Sequence, residues 1–357
     1  MGRPPSPKLD WAIPEKGDWG PWPPVPAMVK ECIMKAVLCK EYGPPESLVV
    51  EEVPSPEAGP GQVVVRVRSA GVNFPDVLII ENKYQFKPAL PFTPGGEVAG
   101  EILSIGEGVE GLAVGDRVLA NCGWQGFAEE IALHAGGVFK IPDSMDFETA
   151  SAFLLTYGTS HYALKQRAKL RAGEDLVVLG AAGGVGIAAL ELGKVMGARV
   201  IAAASTPEKL AVCQEHGADE VIDYSKEDLK TRIRELTGGK GADVVYDPVG
   251  GDYSEPCLRA MAWEGRFLVI GFAAGDIPRP PLNLTLLKSC DIVGVFWGAF
   301  VGRDPQAHAR NVDELLTWFD EGRIKPRISA SYPLEDVAKA LRDLSERRVK
   351  GKVVVVP

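Results

Sequence analysis

The sequence predicts an α/β protein in which a doubly wound parallel sheet is joined to a partly closed β-barrel domain, and three observations carry that prediction. The apolar run Leu176–Leu179 stops at a glycine cluster, Gly180-Ala181-Ala182-Gly183-Gly184-Val185-Gly186, and a helix-period apolar stripe follows it. This is the pattern of a strand buried on both faces, a tight turn and a helix. Short strands separated by glycine turns crowd the chain from Met34 to about residue 133, without helical periodicity, as in a barrel. From near Phe147 to about residue 295, strands alternate with helices, the signature of a parallel sheet covered on both faces.

Composition bounds the rest. The 357 residues suffice for two domains, and 46% hydrophobic with 24% charged content is ordinary for a globular enzyme. No apolar run is long enough to cross a bilayer. A net charge of −9 argues against a nucleic-acid partner that needs its phosphates neutralised. The six cysteines are scattered with no CxxC, and the four histidines lack metal-ligand spacing. Reduced thiols in a cytoplasmic setting, structural or surface-exposed histidines and no metal site are therefore expected.

Taken in order, residues 1–33 form a proline-rich extension carrying Trp11, Trp19 and Trp22. It reads as irregular or polyproline-like chain that lies against the body or binds a partner. Strands are predicted at Met34–Cys39, Leu48–Val53, Gln62–Ala70, Gly96–Ile102, Asp116–Ala120 and Phe127–Leu133. Beyond Leu176–Leu179, the parallel sheet takes Arg199–Ala204, Ala242–Asp247, Arg266–Gly271 and Asp291–Phe296. Val312–Phe319 and Leu334–Leu344 read as helices, and Lys352–Val356 is a closing strand expected to rejoin the first domain.

The glycine cluster asks for a dinucleotide. Gly183 lets the backbone approach a pyrophosphate, Gly186 lets the helix pack close to the strand, and free N–H groups at the helix start, at Gly184 and Val185, attract negative charge. A NAD-binding unit places an acidic residue near the end of the second strand to hold the ribose 2′-OH. Here that strand ends in Ser205-Thr206-Pro207-Glu208-Lys209, a hydroxyl pair and a cation suited to a 2′-phosphate. NADPH is thus preferred over NADH.

Several motifs taken together resemble a known family: Gly71-Val72-Asn73-Phe74-Pro75-Asp76, Pro91-Phe92-Thr93-Pro94-Gly95-Gly96-Glu97, the glycine cluster, Val244-Val245-Tyr246-Asp247-Pro248-Val249-Gly250-Gly251 and Gly351-Lys352-Val353-Val354. Over Met34–Pro357 the chain resembles the zinc-independent quinone oxidoreductase (ζ-crystallin-like) branch of the medium-chain dehydrogenase/reductase superfamily. The resemblance implies a GroES-like catalytic domain over 34–154, a Rossmann NADPH-binding domain over 155–295 and a return to the catalytic domain over 296–357. It implies that Asn73 faces the nicotinamide and substrate, that Thr156 contacts the nicotinamide end, and that Tyr224 and Arg347 lie near the 2′-phosphate beside Lys209. Ile270-Gly271-Phe272 and Phe296-Trp297-Gly298 match loops running along the cofactor. Zinc-dependent relatives carry Cys where Asn73 sits and His where Gly96 sits, so the resemblance points to acceptors that take hydride with less electrophilic help. Several relatives have a tyrosine five residues after the Asn, where this chain has Leu78, and Tyr84 becomes the next candidate to line the pocket.

The implied activity is an NADPH:quinone reductase, with the last strand of the sheet pairing with its copy in a homodimer. Two alternatives stay open. One is a reductase of enoyl or alkenal substrates, that is, α,β-unsaturated carbonyls or acyl-CoA. The other is a non-catalytic NADPH-binding crystallin-like or RNA-binding protein, against which the acidic balance weighs.

Overall fold

The computed structural model describes residues 32–357. Of the expected N-terminal extension, residues 1–31 lie outside the described residues, and with them its three tryptophans. The strands are β1 (Ile33–Leu38), β2 (Val49–Pro54), β3 (Gln62–Gly71), β4 (Glu97–Ile105), β5 (Arg117–Asn121), β6 (Glu130–His134), β7 (Val138–Lys140), β8 (Asp175–Leu179), β9 (Arg199–Ala204), β10 (Glu220–Asp223), β11 (Ala242–Asp247), β12 (Met261–Val269), β13 (Asp291–Gly294), β14 (Ile328–Pro333) and β15 (Lys352–Val356).

The barrel part is one mixed sheet in the order β14-β15-β3-β4-β5-β7. One edge of β3 is shared: β6 pairs along Gln62–Arg66 and β15 pairs at Ala70 and Gly71. The last strand of the chain is thereby built into the barrel next to Asn73. β1 and β2 pair antiparallel, and β1 is tied to the barrel because the Val37 N–H donates to Phe127 O. That use of Phe127 explains why β6 begins at Glu130 and not at the expected Phe127.

The second sheet runs β10-β9-β8-β11-β12-β13, every pair parallel. Within the unit this is the order 3-2-1-4-5-6 of a doubly wound dinucleotide fold, whose switch point lies at the carboxyl ends of β8 and β11. Leu176 and Val178 face one core cluster while Val177 and Leu179 face another, and all four are wholly buried. A strand packed on both faces has no polar alternation, which is why its sequence is uninterrupted apolar residues.

Two elements differ from expectation. β13 stops at Gly294, and Trp297–Arg303 is a helix, so Phe296 is its N-cap and not strand. β14 has no counterpart among the predicted strands; its alternating half-buried and exposed residues at the sheet edge give too weak an apolar signal.

Candidate active site

The carboxyl edge of the parallel sheet gathers the glycine turn. Gly180 leaves β8 with φ +57°, and a Cβ there would sit 2.8 Å from Val249 Cγ2, so the turn glycine is Gly180 and not the Ala181 that follows. Gly183 caps the helix Gly184–Val195, whose first internal bond runs from the Ile187 N–H to Gly183 O at 2.8 Å. The amides of Gly184, Val185 and Gly186 precede that bond and point off the helix N-terminus, where an anion is favoured. A Cβ on Gly186 would meet Gly180 O at 2.5 Å, and one on Gly184 would meet Lys352 Cδ at 2.9 Å and Thr156 Cγ2 at 3.0 Å. Thr156 lies inside the helix Leu154–His161, buried, its hydroxyl donating to Ala152 O at 2.9 Å while its methyl faces the turn.

At the end of β9 the structure brings four predicted residues together. Thr206 caps the next helix, accepting the Lys209 N–H. The Lys209 ammonium donates to a carbonyl, Arg347 O, at 3.2 Å, and not to a carboxylate. Burial, then the charges of Arg347 and Lys350, push its pKa below the usual lysine value. Tyr224 stands beside the group: burial raises its phenol, while the Ser205 hydroxyl and the Arg347 charge act the other way. Three cations thus converge here, and an anion would relieve their mutual repulsion.

On the barrel side lies a buried polar network. The Asn73 amide donates from Nδ2 to Glu97 Oε1 at 2.9 Å and to Gly71 O at 3.3 Å. The Lys352 ammonium donates to Asn73 Oδ1 at 2.5 Å, Glu97 Oε1 at 2.9 Å and Val72 O at 2.9 Å. Lys352 is 6% exposed and Glu97 1%. Glu97 Oε2 accepts the Leu155 N–H at the start of the helix that carries Thr156, where a negative charge is favoured. Asp76 Oδ2 accepts the Asn73 N–H at 2.7 Å, and burial pushes this carboxyl up to about 7.

Three aromatic rings stand in a row. Tyr84 packs on Phe86 at 5.9 Å between centroids, and Phe86 faces Phe296 across 6.4 Å. Phe86 and Phe296 are each about half exposed, which sets Phe296 with Tyr84 through a residue the sequence reading did not single out. Ile270 and Gly271 leave β12 with their N–H groups on Asp247 O, and Phe272 packs against Gly250. Asp247 shapes that edge by accepting the Val249 and Gly250 N–H groups at 2.8 Å each.

The run Phe296-Trp297-Gly298 requires a correction. It is not an open loop: Trp297 and Gly298 form the first turn of a helix, and Trp297 is 6% exposed in the core. Its indole packs directly on Gly158, where a Cβ would lie 2.9 Å from the ring, so the side chain is turned into the core and away from solvent. Phe296 alone of the three presents its side chain outward. The reading also assigned no role to Lys352, Lys350, Asp76 and Phe86. Lys352 and Asp76 had a visible signal, within the quoted Gly351-Lys352-Val353-Val354 and Gly71-Val72-Asn73-Phe74-Pro75-Asp76.

A parallel sheet of this order, a glycine turn at its switch point and a barrel set against it define a two-domain dehydrogenase/reductase of the medium-chain type. Residues 184–318 match the zinc-binding dehydrogenase family and residues 59–143 the alcohol dehydrogenase GroES-like domain. Quinone oxidoreductase-like protein 2 homolog of Nematostella vectensis is 45% identical over 325 residues, covering 90% of this chain and 88% of that protein. The Pseudomonas syringae quinone oxidoreductase structure superposes with a TM-score of 0.85 at 34% identity, covering 91% of this chain and all of that one. The Escherichia coli quinone oxidoreductase complexed with NADPH gives 0.84 at 28% identity over 90% of this chain and all of that one. The chain belongs to the quinone oxidoreductase family of medium-chain dehydrogenases/reductases.

Proposed function

We propose that the chain is an NADPH-dependent reductase that delivers hydride to a flat conjugated acceptor, a quinone, without a zinc ion. The observation that carries this reading is the group of Lys209, Arg347 and Lys350 at the end of β9, with Ser205 where a NAD-binding unit has its acid. The turn fits the rest of the dinucleotide: any side chain at Gly186 would collide with the preceding backbone, and the three amides beyond Gly183 await an anion. When bound, NADPH supplies the hydride. The Escherichia coli relative, solved with NADPH, supports the same choice.

The donor set supports a zinc-free site. Asn73 and Gly96 offer no thiolate or imidazole, and an ammonium already lies between Asn73 and Glu97, where a metal cation would meet a like charge. Among the described residues no cluster of three or more His, Cys, Asp or Glu side chains could hold a metal. Phe86 and Phe296, packed on each other and about half exposed, offer aromatic faces suited to stacking of a ring acceptor, with Tyr84 against Phe86.

A cytoplasmic homodimer completes the reading. All six cysteines are unpaired, and among the described residues no helix is long and apolar enough to cross a membrane. Among the described residues the outer edge of β13 has no strand partner, and Leu282, Leu286 and Leu287 in the segment leading into it, with Ile292 on the strand itself, are exposed. NADPH oxidation measured with 1,4-naphthoquinone, a 2-alkenal and an enoyl-CoA tests the activity. The quinone is expected to give the highest kcat/KM; preference for the alkenal or enoyl-CoA turns the reading to that reductase class, and no turnover with any acceptor overturns the enzyme.

A further inference from the structure

We propose that Lys352 is a positioning residue of the cleft, which fixes the orientation of the Asn73 amide and registers it against the glycine turn. The inference rests on the NADPH reading above, because it concerns the nicotinamide end of that site. An ammonium has three donors, and all three are used: Val72 O, Asn73 Oδ1 and Glu97 Oε1. None is left for a ligand, so Lys352 acts through Asn73 and not on reacting atoms.

The amide of an asparagine is nearly symmetric in shape, and only its partners decide which end points where. Here Oδ1 faces an ammonium that cannot accept, and Nδ2 faces a carboxylate that cannot donate. Turning the amide over would set donor against donor and acceptor against acceptor, both beyond the reach of water. Lys352 and Glu97 together therefore hold Asn73 in one state.

The same residue is tied to the pyrophosphate turn. Its stem crosses Gly184, where a Cβ would lie 2.9 Å from Cδ. Next to it, the Gly351 N–H donates to Ala182 O at 2.8 Å, and Gly351 forms a β-bridge with Gly183. Gly351 has φ +91°, and a Cβ there would meet Arg327 O at 2.5 Å, so no other residue fits this junction. The end of β15 thus joins, over two residues, the amides that receive the phosphates and the amide held at the barrel.

Lys352→Met alone leaves Glu97 buried and unpaired, which threatens folding. Lys352→Met/Glu97→Gln removes both charges and keeps the volume. Three quantities are measured on this double variant: the Kd of 2′,5′-ADP, which occupies only the adenosine half; the fluorescence of bound NADPH, which reports the nicotinamide; and steady-state turnover with 1,4-naphthoquinone. Expected are a 2′,5′-ADP Kd within about twofold of wild type, altered NADPH fluorescence, and kcat lowered about 100-fold with the quinone KM within about threefold, the scale of an ångström-sized misplacement. Unchanged fluorescence with kcat within about threefold of wild type overturns the role of Lys352. Wild-type protein that binds neither 2′,5′-ADP nor NADPH overturns instead the cofactor reading beneath it.

Discussion

Lys209→Ala isolates the term that selects the cofactor. The Lys209 ammonium has one neutral acceptor, Arg347 O at 3.2 Å, and two cationic neighbours. Its charge is thus poorly compensated until a phosphate arrives. A charge-assisted hydrogen bond to that phosphate is worth about 1.5–3 kcal/mol, or roughly 10- to 150-fold in Kd. Lys209 is only partly buried, and Arg347 and Lys350 remain after the substitution, so the expected loss for NADPH is at the lower end, about 10- to 30-fold. NADH carries no 2′-phosphate, and its Kd should move less than about threefold. The variant without cofactor should melt within about 2 °C of wild type, because removing one of three repelling charges costs little. Fluorescence titration of both cofactors at low and high salt reads the affinities, the gap narrowing as salt screens the charges, and thermal unfolding of the cofactor-free protein reads the melting temperature. Equal weakening of NADPH and NADH, or a salt-independent gap, refutes the assignment of this cluster to the 2′-phosphate.

Other perturbations test the surrounding structure. Burial raises the Asp76 carboxyl to about 7, so from about pH 4 to 7 the folded state binds more protons than the unfolded one and stability falls as pH rises through that window. Asp76→Asn should abolish this loss, which amounts to at most about 4 kcal/mol at 1.4 kcal/mol per pH unit, in urea titrations at pH 4.5 and 7.5; a slope like that of wild type contradicts the buried acid. Gly158→Ala places a Cβ 2.9 Å from the Trp297 indole and should cost about 1–3 kcal/mol by urea denaturation, whereas no loss means that Trp297 is not packed there. Leu286→Lys, at an exposed leucine of the helix leading into β13, should convert a dimer to a monomer in sedimentation; a monomeric wild type removes the dimer from the reading.

What the sequence disclosed follows the range of the forces involved. β8 and its turn are local: four apolar residues, a glycine at positive φ and a helix stripe sit within about twenty residues, and each constrains backbone without help from elsewhere. The β9 end was legible for the same reason, since Ser205 and Lys209 flank one helix cap. β14 was not legible, because an edge strand with one half-buried face carries little periodic contrast. Trp297 was misread because its burial depends on Gly158, a residue on another helix with no side chain to announce the contact. Phe86 likewise gained meaning only when Phe296 was brought opposite it.

Lys352 shows the limit most sharply. A lysine preceding four valines reads as a solvated strand start, and nothing within the run marks it as buried. What buries it is the pairing of β15 with β3 at Ala70 and Gly71, which brings the chain end beside Asn73, 279 residues earlier in the sequence. The short segment from Arg347 to Lys352 then runs the length of the site. Arg347 O accepts from Lys209, the Gly351 N–H holds Ala182, and the Lys352 ammonium holds Asn73 and Glu97. On the proposed reading, contacts to the adenosine phosphate, the pyrophosphate and the nicotinamide end are anchored on one stretch of backbone. Binding energy gained far from the reacting atoms therefore has a covalent path to the residues that orient them, which is the condition for such energy to raise kcat and not only affinity.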